Sequence, residues 1–181
     1  MLTWTRGAGD DLVVVGHSLG GLTIPLVAAE RPVRKLVFLC SLLPVPGLSL
    51  VDHLRLEPEI FVPGFDQGVA RDELGRSYWR DADDAIDALY GDCPRQLASW
   101  AAARLRPQAR AASVEPCPLA SWPAVESASL FAADDAAISP AWSRAAARAR
   151  LGIAAIELPG GHSPFLSRPG ELAEALVAVA L

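Results

Sequence analysis

The sequence predicts an α/β protein built on a mainly parallel sheet with flanking helices and one long helical insertion. Three observations lead there. Four short apolar segments, residues 12–15, 34–40, 127–132 and 153–158, have the length and composition of strands buried on both faces. Segments of helical composition, residues 19–30, 141–150 and 169–180, follow the first, third and fourth of them. Between the second and third strands lie about 80 residues with no strand pattern, too long for an ordinary connection in a compact domain. All 181 residues are expected in a single domain, with residues 44–122 inserted into it.

Each element follows from local chemistry. Residues 12–15 read LVVV, an unbroken apolar run suited to a sheet covered by helices on both sides. The helix over 19–30 contains one conflict: the Pro25 ring would meet the carbonyl of Gly21 and offers no N–H, so a bend is expected. RKLVFLC, 34–40, is a second buried strand that ends on Cys40, read as a core residue. The insertion opens with Pro44, Pro46 and Gly47 and closes with Pro107, Pro116, Pro118 and Pro123. Helices are expected inside it over 84–90 and 94–106. It carries Phe61, Phe65, Tyr78, Trp79, Tyr90, Trp100 and Trp122. Some of these rings must pack the insertion onto the domain; the functional expectation is a lid that lines an apolar pocket over one end of the sheet. SASLFA, 127–132, and IAAIEL, 153–158, are the third and fourth strands, and Pro169 suits the first turn of the last helix.

Composition narrows the function. Apolar residues make up 51% of the chain and charged residues 20%, as in a soluble globular protein. The net charge of −5 argues against a nucleic-acid surface. Of 16 basic residues only Lys35 is a lysine, and the cluster Arg144, Arg148 and Arg150 is read as a solvated helix face. The 3 cysteines, Cys40, Cys93 and Cys117, have no metal-type spacing and suggest no disulfide framework. No apolar run approaches the roughly 20 residues of a membrane helix, and the N-terminus lacks a signal-peptide core. A cytoplasmic location is expected, with no cofactor, no metal, no nucleic acid and no membrane partner.

The chemistry begins at Gly16-His17-Ser18-Leu19-Gly20-Gly21, a G-x-S-x-G pattern directly after LVVV. Alone the pattern arises by chance in about 6 of every 100 chains of this length. After a buried strand and before a helix it has a mechanism: the serine hydroxyl projects above the sheet on a sharp turn, and the new helix points free N–H groups at any oxyanion forming beside it. A serine needs a base, and the base needs a group that fixes its tautomer. Of three histidines, His53 lies in the insertion without supporting residues and is set aside. His17 adjoins the serine, but its side chain should leave the turn in another direction; it is placed with Leu19 on the oxyanion and substrate side. His162 follows the last strand across Pro159-Gly160-Gly161, at the end of the sheet where catalytic groups gather, and is the expected base. The acid is expected after the third strand at Asp134-Asp135, with Asp135 favoured and Asp134 in reserve. Ser18, Asp135 and His162 then arise from three strand ends in that chain order.

These motifs resemble those of the α/β-hydrolase superfamily: GHSLGG as nucleophile elbow, DDAAISP as acid loop, and LPGGHSPFLSRPGELAEAL as histidine loop and final helix. Within it the chain resembles the lid-bearing group of plant methylesterases and hydroxynitrile lyases and their bacterial esterase-like relatives, through the Asp-x-x-Ile and His-Ser-Pro-Phe loops and LYGDCPRQLASWAAARLRPQ. The resemblance runs from about residue 11 to the end. It implies ester or related acyl hydrolysis by a Ser18-His162-Asp135 triad, with the Leu19 N–H as one oxyanion donor; the substrate expected beneath the lid is a small or medium apolar ester. Hydroxynitrile lyases of this group have a lysine after the catalytic histidine; here that residue is Ser163, which disfavours lyase chemistry. Ser18 in place of an aspartate argues against dehalogenase and epoxide hydrolase chemistry.

One departure stands at the front. Such proteins carry about four strands before the nucleophile strand, whereas eleven residues precede it here. The resemblance therefore implies a shortened form of the fold with residues 12–15 at a sheet edge, and an apolar edge invites pairing. Three readings stay open: a homodimer joined through that edge, a missing partner, or a gene start placed too late. The loop supplying a second oxyanion donor would be lost as well, at a cost of about 10²–10³ in rate. The competing functional reading is a catalytically impaired unit that binds or assembles.

Overall fold

Gly9 and residues 11–181 are described by a computed structural model. In chain order the elements are β1 (Val13–Ser18), α1 (Ile24–Glu30), β2 (Lys35–Ser41), α2 (Leu50–Leu56), β3 (Val69–Arg71), β4 (Ser77–Trp79), α3 (Ala82–Tyr90), α4 (Arg95–Ala102), α5 (Ala111–Val114), β5 (Glu126–Ala132), α6 (Pro140–Ala146), β6 (Ile156–Leu158), α7 (Pro164–Ser167) and α8 (Pro169–Ala180). The strands β1-β2-β5-β6 form one sheet in that order, and every neighbouring pair is parallel. The expected α/β class with a mainly parallel sheet is the observed one.

Burial explains the all-apolar strands. Every residue of β2 is buried, so its alternating side chains serve two cores. Leu36 and Phe38 pack with Ile24, Ile60, Ile138 and Trp142 on one face. Val37 and Leu39 pack with Leu130, Leu158 and Leu172 on the other, beneath α8. Lys35 opens β2 with its ammonium on the Val179 carbonyl near the end of α8 and 2.7 Å from Glu126. A cation at a helix C-terminus is favoured by the helix dipole.

The sequence expectation for 19–30 was one bent helix. The chain instead makes a 3₁₀ turn, Leu19–Leu22, and restarts as α1 with Pro25 in its first turn, where a missing N–H costs nothing. Gly21 is required at that turn: a Cβ there would sit 2.0 Å from the Leu42 carbonyl oxygen.

The 44–122 stretch holds α2 to α5 and also a feature the sequence reading missed, the antiparallel hairpin β3–β4. Three-residue strands are too short to show a period. The signal lay in the turn, where the Asp72 carboxylate accepts the N–H groups of Leu74 and Arg76 and Gly75 takes a φ of 72°. A second correction concerns Arg150. A π-helical turn, Ala147–Leu151, follows α6 and carries Arg150 inward, where it donates to the Leu43 carbonyl, Glu57 and His53 instead of facing solvent. Arg144 does stay exposed, paired with Glu157.

β1 is the edge strand of the sheet among the described residues, with Val15 42% exposed. Among those residues no helix is long and apolar enough to cross a membrane.

Candidate active site

Three loops converge where β1, β5 and β6 end. β1 runs to Ser18, further than its apolar run suggested, and its pairing with β2 slips between His17 and Ser18. Across the slip Cys40, the residue of β2 left out of the register, takes a φ of 43° beside the serine. Ser18 itself has φ 54° and ψ −122°. A non-glycine residue there is strained by about 1–3 kcal/mol, and surrounding packing must hold it. The strain lifts Oγ off the strand, and Leu19 opens the 3₁₀ turn directly behind it with its N–H at the positive end of that turn.

His162 lies in the loop after β6, 3% exposed, and Asp135 in the loop after β5, 5% exposed. The imidazole Nδ1–H donates to the Asp135 carboxylate at 2.9 and 3.0 Å. With Nδ1 carrying the proton, Nε2 presents its lone pair, and the Ser18 hydroxyl donates to it at 3.1 Å. The buried carboxylate is further held by the N–H groups of Ala137 and Ile138, which donate to Oδ1 at 2.8 and 2.9 Å. A buried carboxylate with three N–H donors stays aimed at the ring. The arrangement can draw the proton from Ser18 and stabilise the imidazolium that results.

The other candidates separate cleanly. Asp134 is exposed, and it is its backbone N–H that matters, donating to the Gly160 carbonyl at 2.9 Å. His53, 2% exposed, sits among Arg150, Glu57 and Trp142. Burial, then the Arg150 charge, push its pKa below the ordinary imidazole range. Ser163 is buried beside His162, while Lys35 lies at the opposite end of β2 from Ser18. Cys40 is fully buried, and burial followed by the Asp135 charge raise its pKa to about 12, leaving an inert thiol.

The sequence places His17 on the oxyanion and substrate side. Its Nε2–H instead donates to the backbone carbonyl of His162 at 2.8 Å, with its ring 4.7 Å from that of His162 and 4.9 Å from Phe165. Its pKa is lowered to about 4, first by burial and then by His162. An unfolded imidazole titrates near 6.5. Between those values the unfolded chain binds a proton that the folded chain refuses. Stability is therefore fully present above about pH 6.5 and falls as pH drops toward 4. At about 1.36 kcal/mol per unit, discounted for partial exposure, His17 should account for about 2–3 kcal/mol of that loss. The depressed His53 acts in the same direction. The urea midpoint is expected to drop between pH 7 and 4.5, and His17→Gln should flatten part of the slope; an unchanged slope would assign the effect elsewhere.

The stretch between β2 and β5 reaches this site through the acid loop. Phe61 bridges Ile138, Val62 donates to the Ala137 carbonyl, and Ser139 to the Ile60 carbonyl, both at 2.9 Å. Phe61 stacks on Phe65 at 4.8 Å, and Phe65 meets the edge of Trp79 at 5.7 Å. Other expected lid rings serve packing: Trp122 lies against Phe38, and Tyr90 joins the core between α3 and α4.

The chain is similar to known proteins over most of its length. The profile described as Alpha/beta hydrolase family matches residues 2–175. The alpha/beta hydrolase nvfD of Aspergillus novofumigatus is 30% identical over 173 residues, covering 90% of this chain and 67% of that protein. A carbendazim hydrolyzing esterase from a Nocardioides species is 31% identical over 179 residues, covering 94% of this chain and 72% of the relative. Among solved structures, a pyrethroid hydrolase from Sphingobium faniae superposes with a TM-score of 0.77 at 23% identity, covering 98% of this chain and 73% of that one.

Proposed function

The chain belongs to the alpha/beta hydrolase family, and from that premise we propose that it is a carboxylesterase acting on small or medium apolar esters through a Ser18-His162-Asp135 triad. The hydrogen-bonded line from the Ser18 hydroxyl through the His162 ring to the buried Asp135 carboxylate carries this reading. Ser18 Oγ attacks the ester carbonyl as His162 Nε2 accepts its proton, and the Leu19 N–H stabilises the oxyanion. Collapse of the tetrahedral intermediate breaks the ester C–O bond, and His162 returns the proton to the departing alkoxide. Water, deprotonated by the same imidazole, then attacks the acyl-Ser18 ester; the Ser18 Oγ–acyl bond breaks, His162 returns the proton to Oγ, and the acid is released. The relatives named for hydrolysis of carbendazim and pyrethroids support an ester or related acyl substrate. The Phe61-Phe65-Trp79 cluster beside the acid loop supports an apolar one, with the 44–122 insertion as its lid. Three unpaired cysteines are in keeping with a reducing cytoplasm.

The test is direct. A fluorophosphonate should add to the peptide containing Ser18, and p-nitrophenyl butyrate should leave an acyl group there at short times. Failure to label a folded protein would favour the non-catalytic reading. For the β1 edge, unpaired among the described residues, we propose pairing with a second copy, since a strand edge is self-complementary about a twofold axis. The chain is expected to elute at about twice its 19.1 kDa, and Val15→Lys to shift it to the monomer. A monomer at every concentration would refute the pairing.

A further inference from the structure

The stretch LYGDCP has no part in the proposed mechanism, yet it touches the loop of the base. Asp92 lies between α3 and α4, in the insertion, and its Oδ2 accepts the N–H of Gly161 at 2.9 Å across 69 residues of sequence. The contact is close on both sides. A Cβ on Gly160 would stand 2.5 Å from Oδ2 of Asp92, and one on Gly161 2.8 Å from Oδ1. The backbone before His162 is laid directly onto this carboxylate; Gly160 is required as well by its φ of 89° and by Arg168 Nε, 2.7 Å from where a Cβ would stand. A second contact joins the same parts: Leu166 of α7 packs into the apolar cluster of Ile86, Tyr90, Ala98 and Ala101 formed by α3 and α4. The α3–α4 pair is thus latched to the histidine loop by one charged and one apolar contact. His17 and Asp134 hold the carbonyls of His162 and Gly160, while Asp92 holds the N–H between them.

We infer that Asp92 is a positioning residue: from the insertion it fixes the Gly160-Gly161 backbone, and through it the reach of His162 to Ser18. This rests on His162 being the general base proposed above. A carboxylate accepting one backbone N–H gives a charge-assisted bond, and loss of an ångström in the alignment of a base can lower a rate by about 10²-fold. With two other contacts holding the loop, a smaller loss is expected.

The experiment uses the full chain with Asp92→Ala, Asp92→Asn, Gly161→Ala and the double variant Asp92→Ala/Gly161→Ala. Readouts are kcat and KM for p-nitrophenyl butyrate, the rate of fluorophosphonate labelling, and the low-field proton resonance of His162 Nδ1–H. Asp92→Ala should lower kcat and labelling about 10-fold with KM within about 2-fold, and should broaden the resonance. Asp92→Asn keeps an acceptor oxygen and should recover all but about 3-fold. Gly161→Ala should cost more than Asp92→Ala, because its methyl meets the carboxylate, and the double variant should be no slower than Asp92→Ala alone. Wild-type kcat, labelling and resonance in Asp92→Ala would overturn the inference. So would a Gly161→Ala loss that is equally large with alanine at position 92. If the wild type neither labels nor turns over, the esterase reading falls, and the resonance alone still decides whether Asp92 orders the ring.

Discussion

Ser18→Ala is expected to lower kcat/KM for p-nitrophenyl butyrate by about 10⁴-fold or more and to abolish fluorophosphonate labelling. The size follows from what remains. Without Oγ, His162 and Asp135 still face each other but have no nucleophile to activate, and the Leu19 N–H has no covalent intermediate to stabilise. Ser18→Gly should be equally inactive yet more stable than Ser18→Ala. At φ 54° and ψ −122° a Cβ costs about 1–3 kcal/mol, whereas glycine loses only about 0.4–1 kcal/mol through the greater freedom of its unfolded chain. The difference favours glycine, by about 2–6 °C in Tm for a domain of this size. The pair of variants separates chemistry from strain. Turnover by Ser18→Ala at the wild-type rate would refute the nucleophile, and a glycine variant no more stable than the alanine one would refute the strained elbow.

That strain also explains how much of the molecule was legible beforehand. The elbow announces itself because a strand must stop, turn and enter a helix within a few residues, and only small residues survive the crowding that leaves Gly21 against the Leu42 carbonyl. The buried strands were readable because β2 faces two cores, so that nothing polar interrupts it between Lys35 and Cys40. Asp135 and His162 were readable from position, each at the end of a strand that enters the sheet beside its neighbour.

What escaped were features set by tertiary contact. Three-residue strands such as β3 and β4 have too little length for a period, and only the Asp72 turn betrayed them. Arg150 looked like one more surface arginine because no local pattern reports a π turn that swings it onto Glu57 and His53. Asp92 acts across 69 residues; it lies within the LYGDCP stretch, but nothing in that stretch says that it meets the loop before His162. The direction of His17 depended on where the His162 carbonyl would be, which no residue near His17 encodes.

The adjacent carboxylates give the second large effect. Asp135→Asn is expected to lower kcat/KM by about 10⁴-fold with little change in Tm, and Asp134→Asn to stay within about 3-fold of wild type. Asparagine keeps the shape of the buried side chain, and its amide oxygen can still accept from Ala137 and Ile138 as Asp135 does. Its amide nitrogen then faces His162 Nδ1 and donates to it. The ring must carry its proton on Nε2 and so points a donor, rather than a lone pair, at Ser18 Oγ. The base is present but in the wrong tautomer, and no charge remains to stabilise an imidazolium. Asp134 offers its backbone N–H to Gly160 and an exposed carboxylate to water, so its amide variant leaves the hydrogen-bonded line intact. Kinetics of both variants alongside thermal melts would settle the assignment. A loss confined to Asp134→Asn would transfer the acid by one residue, and near-wild-type rates in both would mean that His162 works without a carboxylate partner.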